Sequence, residues 1–61
     1  MIEKHLRRPL VEHVTGLSRS SIYELMELEQ FPRPIRIGRR AVAWRESDIE
    51  AWLESRPIAT T

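Results

Sequence analysis

The stretch Pro34-Ile-Arg-Ile-Gly-Arg-Arg-Ala-Val-Ala-Trp44 constrains this chain more than any other. Ile35 and Ile37 alternate with Arg36, and Val42 and Trp44 alternate with Ala43, on either side of a glycine-containing loop at residues 38 to 41. A period of two on both sides of such a loop predicts a two-stranded hairpin. A hairpin alone is marginal in water, so its apolar side chains Ile35, Ile37, Val42 and Trp44 must lie against the rest of the chain, and its tip must project into solvent. The chain has 61 residues and no cysteine. Disulfides and cysteine-ligated zinc are therefore excluded, and the core must form by apolar packing. The expectation is one domain over residues 1–61, with residues 57–61 a flexible tail.

Helical periodicity supplies the cover. Pro9 suits a first helical position, and Leu10, Val11 and Val14 share a face, which predicts a short helix from Pro9 to about Thr15 that Gly16 stops. Ser18 is a candidate N-cap for a second helix of about twelve residues, roughly 18 Å long. In it Ile22, Leu25 and Met26 form an apolar stripe, with Arg19, Ser20, Tyr23, Glu24 and Glu27 elsewhere. It should end before Phe31-Pro-Arg-Pro34, because a residue preceding proline avoids the helical region. Ser47-Asp-Ile-Glu50 has the capping-box pattern, and Ile49, Trp52 and Leu53 predict a last amphipathic helix ending near Arg56. The fold class is α+β, mainly α, in the order helix, turn, helix, β-hairpin, helix.

The formal net charge of +1 conceals segregation along the chain. Residues 33 to 45 contain Arg33, Arg36, Arg39, Arg40 and Arg45 without an acid, whereas residues 46 to 54 contain Glu46, Asp48, Glu50 and Glu54 without a base. Two faces of opposite sign follow, and the basic one, centred on a turn, suits a polyanion. No apolar run approaches a membrane span and nothing resembles a signal peptide, so a cytoplasmic protein without membrane contact is expected. His5 and His13 have no partners that would complete a metal site. Trp44, Trp52 and Phe31 sit among apolar neighbours and fit a core rather than a base-stacking platform. With no phosphate-cradling loop, no nucleophile with its base and too little body for an enclosed site, neither enzymatic activity nor a cofactor is expected.

Two helices joined by a tight glycine-containing turn, the second beginning with small polar and basic residues, form the arrangement of a helix-turn-helix. Followed by the hairpin, it becomes a small winged helix-turn-helix. The second helix would enter the major groove of double-stranded DNA, with Arg19, Ser20 and Ser21 nearest base edges and phosphates and Tyr23 donating to a phosphate. Arg39 and Arg40 at the wing tip, supported by Arg36 on the outward strand face, would meet the enhanced negative potential of a narrow minor groove.

The combination of Val14-Thr-Gly-Leu-Ser-Arg-Ser-Ser-Ile-Tyr23, Phe31-Pro32, Ile37-Gly-Arg-Arg40, Trp44 and Ser47-Asp-Ile-Glu-Ala-Trp52 resembles the AlpA-type small phage regulators. These belong to the wider winged-helix group that includes phage excisionases and MerR-type regulators. The resemblance runs from Leu6 to Leu53 and implies a DNA-binding protein of a prophage or integrated element, acting as a transcriptional regulator or an excisionase-like recombination directionality factor. The chain departs from that pattern at Glu24 and Glu27, where relatives often carry Arg or Lys. These acids would repel phosphates. Either the C-terminal half of the second helix tilts away from DNA, the reading favoured by basic residues at the helix start and the wing, or Glu24 reads a cytosine amino group, or binding is weak. An alternative use of the same fold is a protein-interaction module that holds an integrase or another regulator through the acidic faces around Glu24, Glu27, Glu50 and Glu54. A domain this small buries little surface on DNA, which leaves room for weak or DNA-induced self-association.

Overall fold

A computed structural model describes residues 2–59. The chain runs β1 (His5–Leu6), α1 (Arg8–Thr15), α2 (Arg19–Glu27), β2 (Ile35–Gly38), β3 (Ala41–Arg45) and α3 (Glu46–Glu54). The three helices fall where periodicity places them. Gly16 closes α1 in the left-handed region at φ 74°, its amide bonded to the Glu12 carbonyl; a side chain at that φ would be strained. Ser18 caps α2, its hydroxyl oxygen accepting from the Ser21 amide at 3.2 Å.

The expected length of α2 needs correcting. It has nine residues, about 14 Å at 1.5 Å per residue. Its end is set before the prolines act: Glu29 takes φ 57°, and the amides of Glu29 and Gln30 turn back to the carbonyls of Met26 and Leu25 at 3.0 and 2.8 Å.

Trp44 is the centre of the core. It is fully buried together with Val11 and Ile22, and Leu6, Phe31 and Ile49 complete the cluster. Phe31 lies edge-on between the two tryptophans, 6.2 Å from Trp44 and 4.8 Å from Trp52. Each indole N–H donates to a backbone carbonyl at 2.8 Å, Trp44 to Pro32 and Trp52 to Gln30. The Phe31-Pro-Arg-Pro34 linker is thereby fastened to the hairpin and to α3, and both aromatic donors are satisfied. Among the α1 residues expected inside, Val11 is fully buried, whereas Leu10 and Val14 are more than two-fifths exposed. One face of a two-turn helix offers room for a single side chain under this small sheet.

The sheet differs from expectation in two ways. It has three strands, in the order β1-β3-β2, because the N-terminal segment pairs antiparallel with β3 through His5↔Arg45 and Leu6↔Trp44. The hairpin also has a different register. Ile35 pairs with Ala43, Arg36 with Val42 and Gly38 with Ala41, which leaves Ile37 as an extra, bulged residue before a two-residue Arg39-Arg40 turn. Directly paired residues share a face. Ile35 therefore lies with Ala43, which is fully buried, while Arg36 lies on the face of Val42 and Trp44. Ile37 and Val42, expected to hold the hairpin down, are 48% and 39% exposed. The bulge breaks the alternation that placed all four apolar residues on one side, and Arg36 is exposed because the hairpin extends beyond the core at that point.

The start of α3 is a further correction. β3 runs directly into the helix, so Arg45 is the N-cap residue and makes no side-chain cap bond, and Ser47 lies within the first turn. The orphan amide of Ser47 instead donates to Glu3 Oε2 at 3.2 Å, from a residue brought there by β1. Hydrogen bonds from the Ser47 hydroxyl and amide hold the Glu3 carboxyl below its ordinary value of 4.5, with His5 and Arg45 adding attraction. A lowered folded value means that ionised Glu3 stabilises the native state above pH 4.5, and that this contribution is lost as pH falls through the folded value. Glu3→Gln should therefore be less stable than the native chain at neutral pH, with the gap closing in acid. Urea unfolding across a pH series checks this, and a gap independent of pH would remove the cap.

Residues 57–59 carry no helix or strand and are exposed; Thr60 and Thr61, the rest of the expected flexible tail, lie outside the described residues.

Candidate nucleic-acid interface

The α2 start and the hairpin tip supply the residues expected to act together. Arg19 and Ser20 are exposed on the first turn of α2, and Ser21 is half-buried, its hydroxyl accepting from Ser18 Oγ at 3.1 Å and its amide completing the cap. Ser21 therefore serves the helix end, while Arg19 and Ser20 are open to a ligand. Tyr23 lies one turn on from both, and the Arg19 guanidinium carbon stands 5.8 Å from the Tyr23 ring centroid, within cation–π range.

Arg39 and Arg40 form the exposed two-residue turn, and Arg36 Nη1 reaches the Arg39 carbonyl across it at 3.4 Å. Among the described residues Arg8–Glu12 is the one ion pair, at 3.0 Å. Arg19, Arg36, Arg39 and Arg40 thus present full charges to solvent. Helix and wing meet at a groove lined by Arg7, Arg8, Pro9, Tyr23, Arg40 and Val42. It brings Tyr23 and Arg40 together, and Arg36 joins that face through its pairing with Val42. Arg39 does not line it.

Arg7 and Arg8 escaped the sequence reading. The signal was an adjacent basic pair just before Pro9, but local pattern gives no reason to place it beside a wing more than thirty residues away. Glu24 and Glu27, the acids expected to tilt away from DNA, line a separate groove with Tyr23, Met26, Leu28 and Arg33. They share that groove with an arginine of opposite charge and are absent from the one that holds Arg40.

Among the described residues no cluster of three or more His, Cys, Asp or Glu could hold a metal, and no helix is long and apolar enough to cross a membrane. The exposed arginines at the helix start and the wing, with the Tyr23 phenol beside Arg19, offer positive charge and hydrogen-bond donors of the kind that suits an anion.

A protein-family model described as "Prophage CP4-57 regulatory protein (AlpA)" matches residues 4–57. The chain is similar to the uncharacterized protein ORF88 of Enterobacteria phage P4, with 46% identity over 54 residues, covering 88% of this chain and 61% of that protein. It is also similar to a protein of Escherichia coli named DNA-binding transcriptional activator AlpA, with 33% identity over 57 residues, covering 84% of this chain and 81% of that one. The family is one of regulators and not of enzymes. Because the family match runs through every helix and strand from β1 to α3, the chain belongs to the AlpA family of prophage regulatory proteins.

Proposed function

We propose that this protein binds double-stranded DNA in a sequence-specific way as a phage-type regulator of transcription or excision. The start of α2 enters the major groove through Arg19 and Ser20, with Ser21 holding the helix end and Tyr23 at the phosphates. The β2–β3 wing lays Arg39 along the flanking minor groove and Arg40 at the phosphate edge of that groove, with Arg36 behind them. The observation that carries this reading is the set of exposed, unpaired arginines mounted on two adjoining elements, from Arg19 across Tyr23 to Arg40. The name of the Escherichia coli relative, a DNA-binding transcriptional activator, supports it. Net charge does not contribute, since at +1 the attraction must come from where the arginines sit.

An amide-shift titration with duplex DNA tests the proposal. Residues 18–23 and 36–42 should move together and saturably, while the α3 acids Glu50 and Glu54 stay still. Shifts spread evenly over the chain, or confined to α3, would defeat it.

A second reading has its own observation. The groove containing Glu24, Glu27 and Arg33 also exposes Leu28, which is 58% accessible, and half-buried Met26, a mixed apolar and charged surface of the kind that takes a protein. An integrase or another regulator would bind there without competing for the wing, and in the same titration a protein partner would shift residues 24–28 and 33.

A further inference from the structure

The groove between α1, α2 and the wing has a volume of 310 Å3, the space of about ten waters. Its lining is chemically one-sided. Arg7, Arg8 and Arg40 bring three guanidinium groups and Tyr23 brings a phenol, with no carboxylate among the lining residues. Glu12 pairs with Arg8 from outside, taking its Nε at 3.0 Å, so one cation is partly neutralised and held in place. Arg7 and Arg40 remain exposed and unpaired. Pro9 and Val42 supply apolar surface, and Val42 is turned toward this space by the register that puts it on the Arg36 face.

We propose that this groove is the seat of one backbone phosphodiester of bound DNA, clamped between Arg7 and Arg40, with the Tyr23 hydroxyl donating to a phosphate oxygen and Pro9 and Val42 packing on the flanking deoxyribose. The inference rests on the DNA-binding reading and adds a site on α1 to it. A guanine edge also offers a pair of acceptors to a guanidinium, but it is uncharged and carries donors that would find no carboxylate here, whereas a phosphate is anionic, acceptor-only and fits a ring of donors. The seat reads no sequence. It fixes the angle between the reading helix and the wing on the duplex, because its two unpaired cations come from the start of α1 and from the hairpin turn.

The test uses the full chain and a duplex selected from a random pool, together with copies in which one backbone phosphate at a time is replaced by a neutral methylphosphonate. Arg7→Ala should bind every duplex about tenfold more weakly than the native chain, with a salt slope shallower by about 0.9. At one backbone position the methylphosphonate should weaken the native protein about tenfold yet hardly affect Arg7→Ala, the non-additivity of two partners in one contact. Tyr23→Phe keeps the ring and should show a smaller loss coupled to the same position. The Arg7 carbonyl, which accepts from Leu10 and Val11 at 3.1 Å, survives in any variant, so Arg7→Ala should melt within a few degrees of native.

Arg7→Ala binding as tightly and as steeply in salt as the native protein would overturn the seat while leaving DNA binding intact. So would losses that multiply at every position. A native protein that binds no duplex would overturn the DNA reading and the seat together, and the native curve alone separates that failure from the others.

Discussion

Trp44→Ala should leave no cooperatively folded protein at 25 °C. Truncating a buried tryptophan costs about 3–5 kcal/mol through lost transfer energy and the cavity left behind. Here it also orphans the Pro32 carbonyl, which accepts from the indole at 2.8 Å, adding about 1 kcal/mol. At about 0.05–0.15 kcal/mol per residue, a chain this short holds roughly 3–9 kcal/mol in total. A single substitution therefore removes most or all of its stability, since a chain without cysteine has no disulfide as a reserve. Thermal melting by far-ultraviolet circular dichroism should show a broad, sloping decline in place of a transition. Val42→Ala, two residues away on the same strand face but 39% exposed, should change stability by about 0.5 kcal/mol or less. Equal damage from the two substitutions would mean that Val42 is packed as deeply as Trp44, against its place at the exposed end of that strand face.

That contrast marks where the sequence was legible. The helices were readable because their signals are local: Gly16 behind α1, Ser18 ahead of α2 and apolar residues three and four apart. The hairpin was readable as a hairpin but not in its faces. Alternation assigns faces only while the ladder is regular, and the bulge at Ile37 shifts every assignment on one side of it. β1 was not readable at all. Two residues cannot show a period, and His5–Leu6 is a strand only because β3 lies beside it, forty positions away. The misplaced cap on α3 has the same cause: Ser47-Asp-Ile-Glu50 fits a local pattern, but the chain enters the helix straight from β3, and Glu3 supplies the acceptor from the far end of the sequence. The candidate interface divides along the same line. Arg19, Ser20, Arg39 and Arg40 are visible as basic or polar residues at a helix start and a turn, whereas Arg7 joins Tyr23 and Arg40 only once the sheet has brought the beginning of α1 beside the wing.

On the proposed function, raising salt from about 50 to about 200 mM should weaken binding to duplex DNA roughly 150-fold. Each neutralised phosphate contributes about −0.9 to the slope of log affinity against log salt. Arg19, Arg36 and Arg39, exposed and without a carboxylate partner, would each meet one phosphate, and Arg7 and Arg40 would share another, so about four phosphates and a slope of about −3.6 are expected. The magnitude decides between two pictures. A protein of net charge +1 attracting DNA by overall charge alone would show a slope near −1 at most, about a fourfold loss over the same range. Glu24 and Glu27 do not cancel the local arginines, since they line a different groove in company with Arg33. Fluorescence anisotropy on a labelled duplex at five or more salt concentrations measures the slope directly. A value near −1 would mean that the arginines on helix, wing and α1 do not meet the backbone together, whereas a value near −3.6 that becomes shallower in Arg39→Ala requires that they do.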